Sequence, residues 1–290
     1  SSRKITSRLA IKAANNIINN NKELCNLNLN YGNNTIKLFI SKYLTNKIEY
    51  FVTRCLIVRT INEKSDKKIT LYIKNTDVFS SDLIDEEFSD INIIYYSTYL
   101  DKYFDLFKYF LLIILRQVRL VIQYLTTNHQ LSKFNLDKQS VLSFSEDTIR
   151  NDKKLRSHLY WLNNDKTSPN YNNYVIESNN SAKDYVRLPD SGTIIISLSL
   201  AIKAIKKCSK NKHIKDLEKQ INLLFWKFIF EPNYINKNYY VLIFNLFRES
   251  KKISSISIYL NSKVYLYKET HSLYSDAIQL ISSKIGLKTL

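Results

Sequence analysis

The sequence predicts an α/β fold built on a mainly parallel sheet, with a helical region ahead of it. Three observations carry this. From about residue 67 onward, short β-branched and aromatic runs alternate with longer runs whose apolar residues recur at helical spacing, the pattern of strands joined by crossover helices. Only three Gly and three Pro in 290 residues leave few tight turns and favour long regular elements. Lys263 to Leu290 reads as a β-α-β unit: Val264-Tyr265-Leu266-Tyr267 alternates like a strand, and Ser272 to Ile285 places Leu273, Ala277, Ile278, Leu280, Ile281 and Ile285 on one face. Gly286 then sits where a helix end wants a left-handed residue, and Leu287-Lys288-Thr289-Leu290 begins another strand.

Taken in order, residues 3 to about 62 read as helical. Ile11, Ala14, Ile17 and Ile18 mark one amphipathic helix and Ile36 to Thr60 a second, with Tyr31-Gly32-Asn33-Asn34 breaking them. Ile69 to Ile73 is a first strand and Ile91 to Tyr96 a second. A long helix over roughly Tyr99 to Thr127 follows. Val141 to Phe144 is a third strand and Tyr174 to Ile176 a fourth. Thr193 to Cys208 is ambiguous, strand-like at Ile194-Ile195-Ile196 and helical from Leu198 to Ile205. Residues 213 to 230 and 234 to 249 read as helices. Ile256 to Leu260 alternates like a strand, separated from the next by the turn Asn261-Ser262. The expected division is a helical region over 1–66 and an α/β domain over 67–290, with a loop-rich insertion over 148–192.

Composition sets limits. Hydrophobic content of 44% and aromatic content of 13% support a globular core. The formal charge of +17 invites polyanionic partners. However, the densest cluster, Lys203, Lys206, Lys207, Lys210, Lys212 and Lys215, lies on one helix-loop-helix stretch without a nucleic-acid-binding motif. A solvated helix face is the plainer reading. Cys25, Cys55 and Cys208 are odd in number and far apart, as are the four histidines. No disulfide framework or metal site is expected, and a cytoplasmic location fits. The most apolar stretch, Tyr109 to Leu125, is interrupted by Arg116 and Arg119, so a buried or interfacial helix is expected in place of a membrane span. The chain opens with Ser1-Ser2 and has no Met, which points to a processed, trimmed or partial sequence.

Two clusters can carry chemistry. Glu269 and His271 follow a strand, where ligands of open α/β sheets bind, and a Glu there can deprotonate a hydroxyl. Glu269 can equally assist the start of the following helix, with Thr270 or Ser272 as its cap. Glu146 and Asp147 also follow a strand, with Arg150, Arg156, His158 and Trp161 close behind. The arginines can clamp a phosphate or carboxylate and the carboxylates can act as base or bind sugar hydroxyls; an exposed loop of ordinary ion pairs explains the same residues. Arg187, opening Arg187-Leu188-Pro189-Asp190-Ser191-Gly192, reads as a surface turn or a loop facing a cleft. Arg248 and Glu249 end a helix, where an arginine suits the dipole. Phe225, Trp226, Phe228 and Phe230 read as core. Walker, nucleophile-elbow and Gly-rich phosphate motifs are missing.

The stretch from Val141 through Glu146, Asp147, Arg150, Arg156 and His158 to Trp161-Leu162 resembles bacterial surface-polysaccharide biosynthesis proteins. So does Glu269-Thr270-His271-Ser272 running to Gly286-Leu287-Lys288-Thr289. These residues look like those of glycosyltransferases of the two-Rossmann (GT-B) type, close to the polysaccharide biosynthesis PFTS motif proteins. The resemblance covers roughly residues 67 to 290. The PFTS signature itself is absent here. The resemblance implies a Rossmann-like acceptor-side domain that moves a sugar from a nucleotide-sugar donor to a glycan or lipid-linked glycan acceptor. It implies no bound metal or cofactor, with the donor held by a further C-terminal domain. The candidate site residues are then Glu269, His271, Glu146 and Asp147 as catalytic groups and Arg150, Arg156, His158 and Arg187 as substrate-binding groups. An anionic membrane surface near Arg116 and Arg119 is a further expected partner. The competing expectations are a basic nucleic-acid-binding or ribonucleoprotein component, supported by the charge and 21 tyrosines, and a non-catalytic structural domain.

Overall fold

The computed structural model describes residues 2–21, 33–65, 68–74, 86–96, 139–145, 171–177, 185–187, 194–197, 200–232, 234–266 and 273–289, with helical positions between 104 and 122. The chain is α/β. It divides into two compact units, Ser1–Leu112 with Lys227–Leu242, and Ile113–Trp226 with Ile243–Leu290.

The first unit is built on two helices, α1 (Ser2–Asn20) and α2 (Asn33–Lys64). Thr6, Ala10, Ala13, Ala14 and Ile18 are buried along one face of α1, spaced three and four apart as an amphipathic helix requires. Their small side chains let α2 approach with Ile36, Ile40, Leu44, Ile48, Val52 and Cys55, all buried. Each isoleucine or leucine sealed here contributes about 1.5–3 kcal/mol. Ser41 donates to Asn15 Oδ1 at 3.2 Å across the pair. Strands β1 (Leu71–Lys74) and β2 (Ile93–Tyr96) pair in parallel with Leu71 opposite Ile93. Asn62 of α2 holds the lead into β1 by accepting the Ile69 N–H at 2.7 Å. Arg59 holds the lead into β2: its Nε and Nη2 donate to Asp90 Oδ2 and Oδ1 at 2.8 and 2.6 Å, and the guanidinium lies over Phe88. The bidentate bond from Arg59 lowers the Asp90 pKa and raises that of the guanidinium.

The second unit holds a six-stranded sheet of β3 (Gln139–Ser145), β4 (Tyr171–Glu177), β5 (Tyr185–Arg187), β6 (Ile194–Ser197), β7 (Ser262–Leu266) and β8 (Lys288–Thr289), in the order β5-β6-β4-β3-β7-β8. All pairings are parallel except β5 with β6. The helices are α3 (Leu200–Lys207), α4 (Lys212–Phe230), α5 (Tyr234–Tyr259) and α6 (Leu273–Ile285). The first turns of α5 and the last residues of α4 group with the first unit. Asn211 caps α4 by accepting the His213 N–H at 2.9 Å, and Pro232 follows its end.

The expected β-α-β unit is present: β7 and β8 pair in parallel, Val264 opposite Lys288, with α6 between them. Gly286 has φ +66° and Leu287 N–H donates to Ser282 O at 2.9 Å, the six-to-one bond of a Schellman end. The ambiguous 193–208 stretch divides into β6 and α3.

Three expectations are corrected. Ile256 to Leu260 is not a strand: α5 runs through Tyr259, and the alternation of isoleucine with serine arises because this end of the helix is buried on nearly every side. Ser254, Ser255, Ile256 and Ser257 are all buried, and Ser255 satisfies its hydroxyl by donating to Lys251 O at 2.7 Å, a bond that lets serine sit inside a helix. For the same reason Arg248 and Glu249 lie in mid-helix, not at its end. Finally, Phe228 is buried and Phe225 half-buried, but Trp226 and Phe230 are 55% and 75% exposed. Near the end of α4 the aromatics point around the helix, and one face cannot bury them all.

Candidate functional site at the carboxyl edge of the sheet

Numbered by order along the chain, the parallel strands β3, β4, β6, β7 and β8 lie in the order 3-2-1-4-5. The chain enters at the centre with β3, builds outward through β4 and β6, then returns to the other side of β3 for β7 and β8. Connections from β3 and β7 therefore leave in opposite directions, making a topological switch point between two bonded strands. Their register places Val141 opposite Val264, Leu142 opposite Tyr265 and Ser143 opposite Leu266.

The amino end of this pair is fastened by short bonds. Ser140, fully buried, donates to Leu260 O at 2.8 Å and shares a 2.7 Å bond with Ser262 Oγ, while its N–H donates to Asn261 O at 3.1 Å. Asn261 takes φ +50°, a left-handed turn that asparagine tolerates. The register shifts between Ser140 and Val141; such bulges re-aim a strand. On the other side β3 meets β4, with Leu142 opposite Tyr174, both buried, and Ser145 opposite Glu177. In turn Glu177 is level with Ser197 of β6.

Glu146, Asp147, Arg150, Arg156 and His158 lie outside the described residues, as do Glu269 and His271. The strands they follow are described: Glu146 is next after the last residue of β3, and Glu269 comes three residues after the last residue of β7. The two strands are adjacent and parallel, so they end at the same edge of the sheet. Arg187 does not join them. It closes β5 opposite Ile194, the first residue of β6, and since β5 runs against its neighbour this is the amino edge. Glu177 is a carboxylate-bearing position that the sequence reading missed. Within a stretch read as a loop-rich insertion, only strand pairing reveals that it ends β4 level with Ser145.

A second polar cluster, also missed, lies on α5. Glu249 is buried, and its Oε1 accepts from Lys252 Nζ at 2.8 Å and from Arg248 Nη2 at 3.4 Å. Its Oε2 is buried without a hydrogen-bond partner among the described residues. Neighbouring helices meet α5 through polar bonds: Lys251 pairs with Glu218 of α4 at 3.4 Å, and Ser250 donates to Ala277 O of α6 at 3.4 Å. His213 of α4 bonds Ser254 Oγ at 3.1 Å. Burial lowers the His213 pKa, opposed by Asp216 and helped by Lys284. Cys208, whose Sγ faces Ser255 O at 3.7 Å, has its pKa raised by burial. That shift disfavours the thiolate, the reactive form of cysteine. Among the described residues no group of three or more His, Cys, Asp or Glu could hold a metal ion, and no helix is long and apolar enough to cross a membrane.

No family model, curated protein or solved structure matches the chain. Open α/β sheets bind small polar ligands at the carboxyl ends of strands beside such a switch point.

Proposed function

We propose that the second unit is the Rossmann-like, acceptor-side half of a glycosyltransferase acting in surface-glycan synthesis. The observation that supports this reading is the parallel pairing of β3 with β7, the two strands that the Glu146-Asp147 and Glu269-His271 segments follow in the chain. In the proposed reaction the Glu269 carboxylate takes the proton of an acceptor hydroxyl. That oxygen bonds to the anomeric carbon of the donor sugar as the bond to the nucleoside diphosphate breaks, and the diphosphate leaves with the electron pair. His271 orients or shares that proton, and Glu146 and Asp147 hold neighbouring sugar hydroxyls. Arg150, Arg156 and His158 bind an anionic group on the acceptor. Arg187, at the other edge, takes no part.

Ligand-observed NMR of the full chain against a panel of bacterial surface oligosaccharides tests the reading. Binding that falls at least about tenfold in Arg156→Ala and in Glu146→Gln, and survives in Arg187→Ala, supports it. If no glycan binds, or if Arg156→Ala and Glu146→Gln bind as well as the parent, the reading fails.

A further inference from the structure

In the first unit, α2 presents a second face to solvent beside the one it buries against α1. Tyr43, Lys47, Tyr50, Arg54, Ile57, Ile61 and Lys64 follow one another at steps of four and three residues, so they form one straight stripe on the helix. All are exposed: Tyr50 is 62% and Ile57 54% accessible, and Lys47, Arg54 and Lys64 are open to solvent. The stripe is about 32 Å long. It alternates apolar and cationic side chains, and no carboxylate interrupts it. The cations lie on the aromatics, Arg54 over the Tyr50 ring at 4.3 Å and Lys47 over the Tyr43 ring at 5.8 Å. Where the stripe turns aliphatic, a groove of about 540 Å³ opens between α1 and α2, lined by Thr6, Ser7, Glu49, Thr53, Leu56, Ile57, Thr60 and Ile61, so that one carboxylate, Glu49, borders the stripe here. Helix α1 adds exposed Lys4, Arg8 and Lys12 and has no carboxylate.

We propose that this face of α2 docks on anionic lipid bilayers. Lys47, Arg54 and Lys64 meet the headgroups, and Tyr50, Ile57 and Ile61 enter the boundary between headgroups and acyl chains. Apolar side chains interleaved with lysine and arginine on one helix face satisfy both halves of such a surface.

Two other occupants fit the same residues less well. Single-stranded nucleic acid stacks its bases on aromatic rings, but Arg54 already covers a face of Tyr50, and the distal half of the stripe is isoleucine, which has no ring to offer. A second copy of the chain, seated stripe to stripe, brings Lys47 and Arg54 against like charges, which disfavours a self-paired seam. The stripe lies outside the unit that carries the six-stranded sheet, so it is independent of the glycosyl-transfer reading.

The test is flotation of the full chain with phosphatidylcholine vesicles, with and without phosphatidylserine. The parent is expected to float only with phosphatidylserine and to detach as salt rises. Lys47→Glu combined with Arg54→Glu should weaken binding by about thirtyfold or more. Ile57→Ser with Ile61→Ser should weaken it while leaving every charge in place. Reversing Lys206, Lys207 and Lys210, exposed cations in the second unit, should leave binding unchanged, which separates the stripe from a general effect of net charge. All the substituted side chains are exposed, so thermal melts should be unaltered. Equal flotation of the stripe variants and the parent overturns the proposal, as does absence of parental binding to phosphatidylserine. Tighter binding to a single-stranded RNA probe, abolished by the same charge reversals, reassigns the face to nucleic acid. A dimer in sedimentation that those reversals disrupt reassigns it to a second copy.

Discussion

The two longest helices with described bounds, α2 with 32 residues and α5 with 26, place their polar groups in opposite ways. On α2 the charges face water: Lys47, Arg54 and Lys64 stand on an exposed stripe, and the buried face holds Ile36, Ile40, Leu44 and Ile48. On α5 from Asn245 to Ser257 almost every side is enclosed, and Glu249, Lys252 and four serines go inside with the hydrophobes. The contrast teaches that polarity alone does not locate a helix face. A serine can be buried by bonding to its own backbone, as Ser250 does to Leu246 O at 2.8 Å, and a lysine can be buried when a carboxylate goes with it, as Lys252 does with Glu249.

The sharpest way to break the comparison is to delete the anion on α5. Glu249→Ala leaves the ammonium of Lys252 in a buried site without its carboxylate, and a loss of about 3–5 kcal/mol in urea denaturation is expected. Adding Lys252→Met should recover part of the loss. The matching deletion on α2, Arg54→Ala, should move stability by less than about 0.5 kcal/mol. If the two helices respond alike, the distinction fails.

A milder probe asks whether every buried serine of α5 contributes. The Ser257 hydroxyl is buried with no hydrogen-bond partner among the described residues. Ser257→Ala should therefore be neutral or stabilising by up to about 1 kcal/mol, where a clear loss of thermal stability would reveal a bond to that oxygen. The smallest expected effect is a pH slope. Because the folded-state pKa of His213 lies below its unfolded value of about 6.5, the unfolded chain binds the extra proton. The stability contributed by neutral His213 is present above that unfolded value and is lost as pH falls through the folded pKa. Asp216 and Lys284 face it with opposite influences. His213→Gln should flatten the dependence of the urea midpoint between about pH 7 and pH 5; an unchanged slope would place the titration elsewhere.

What the sequence disclosed was local. Helices α1, α2, α4 and α6 announce themselves through apolar residues three and four apart. The terminal β-α-β unit was readable because Gly286 marks the left-handed helix end at which the chain turns back. Misreadings fell where burial is nearly uniform. Around Ile256 there is no wet face to set a period, so isoleucine alternating with serine imitates a strand, and the Glu249 cluster was taken for a helix end. The site was half legible. Carboxylates just past a strand can be seen in sequence, and both segments were singled out that way. That β3 lies directly against β7, four strands later in the chain, is a tertiary fact that local spacing does not encode. Neither the place of Glu177 at the same edge nor that of Arg187 at the opposite one could be read without it.

The same pairing governs the order in which the molecule can be made. One flank of β3 is closed by β4 within a few dozen residues, but the other waits for β7, since Ser140 and Ser262 are 122 positions apart. At translation rates of about 5–20 residues per second this flank stays open for about 6–24 s. Until then, the central strand of the sheet offers unpaired backbone donors and acceptors to any extended segment nearby. In the growing chain that flank of β3 is therefore the one most open to a wrong neighbour.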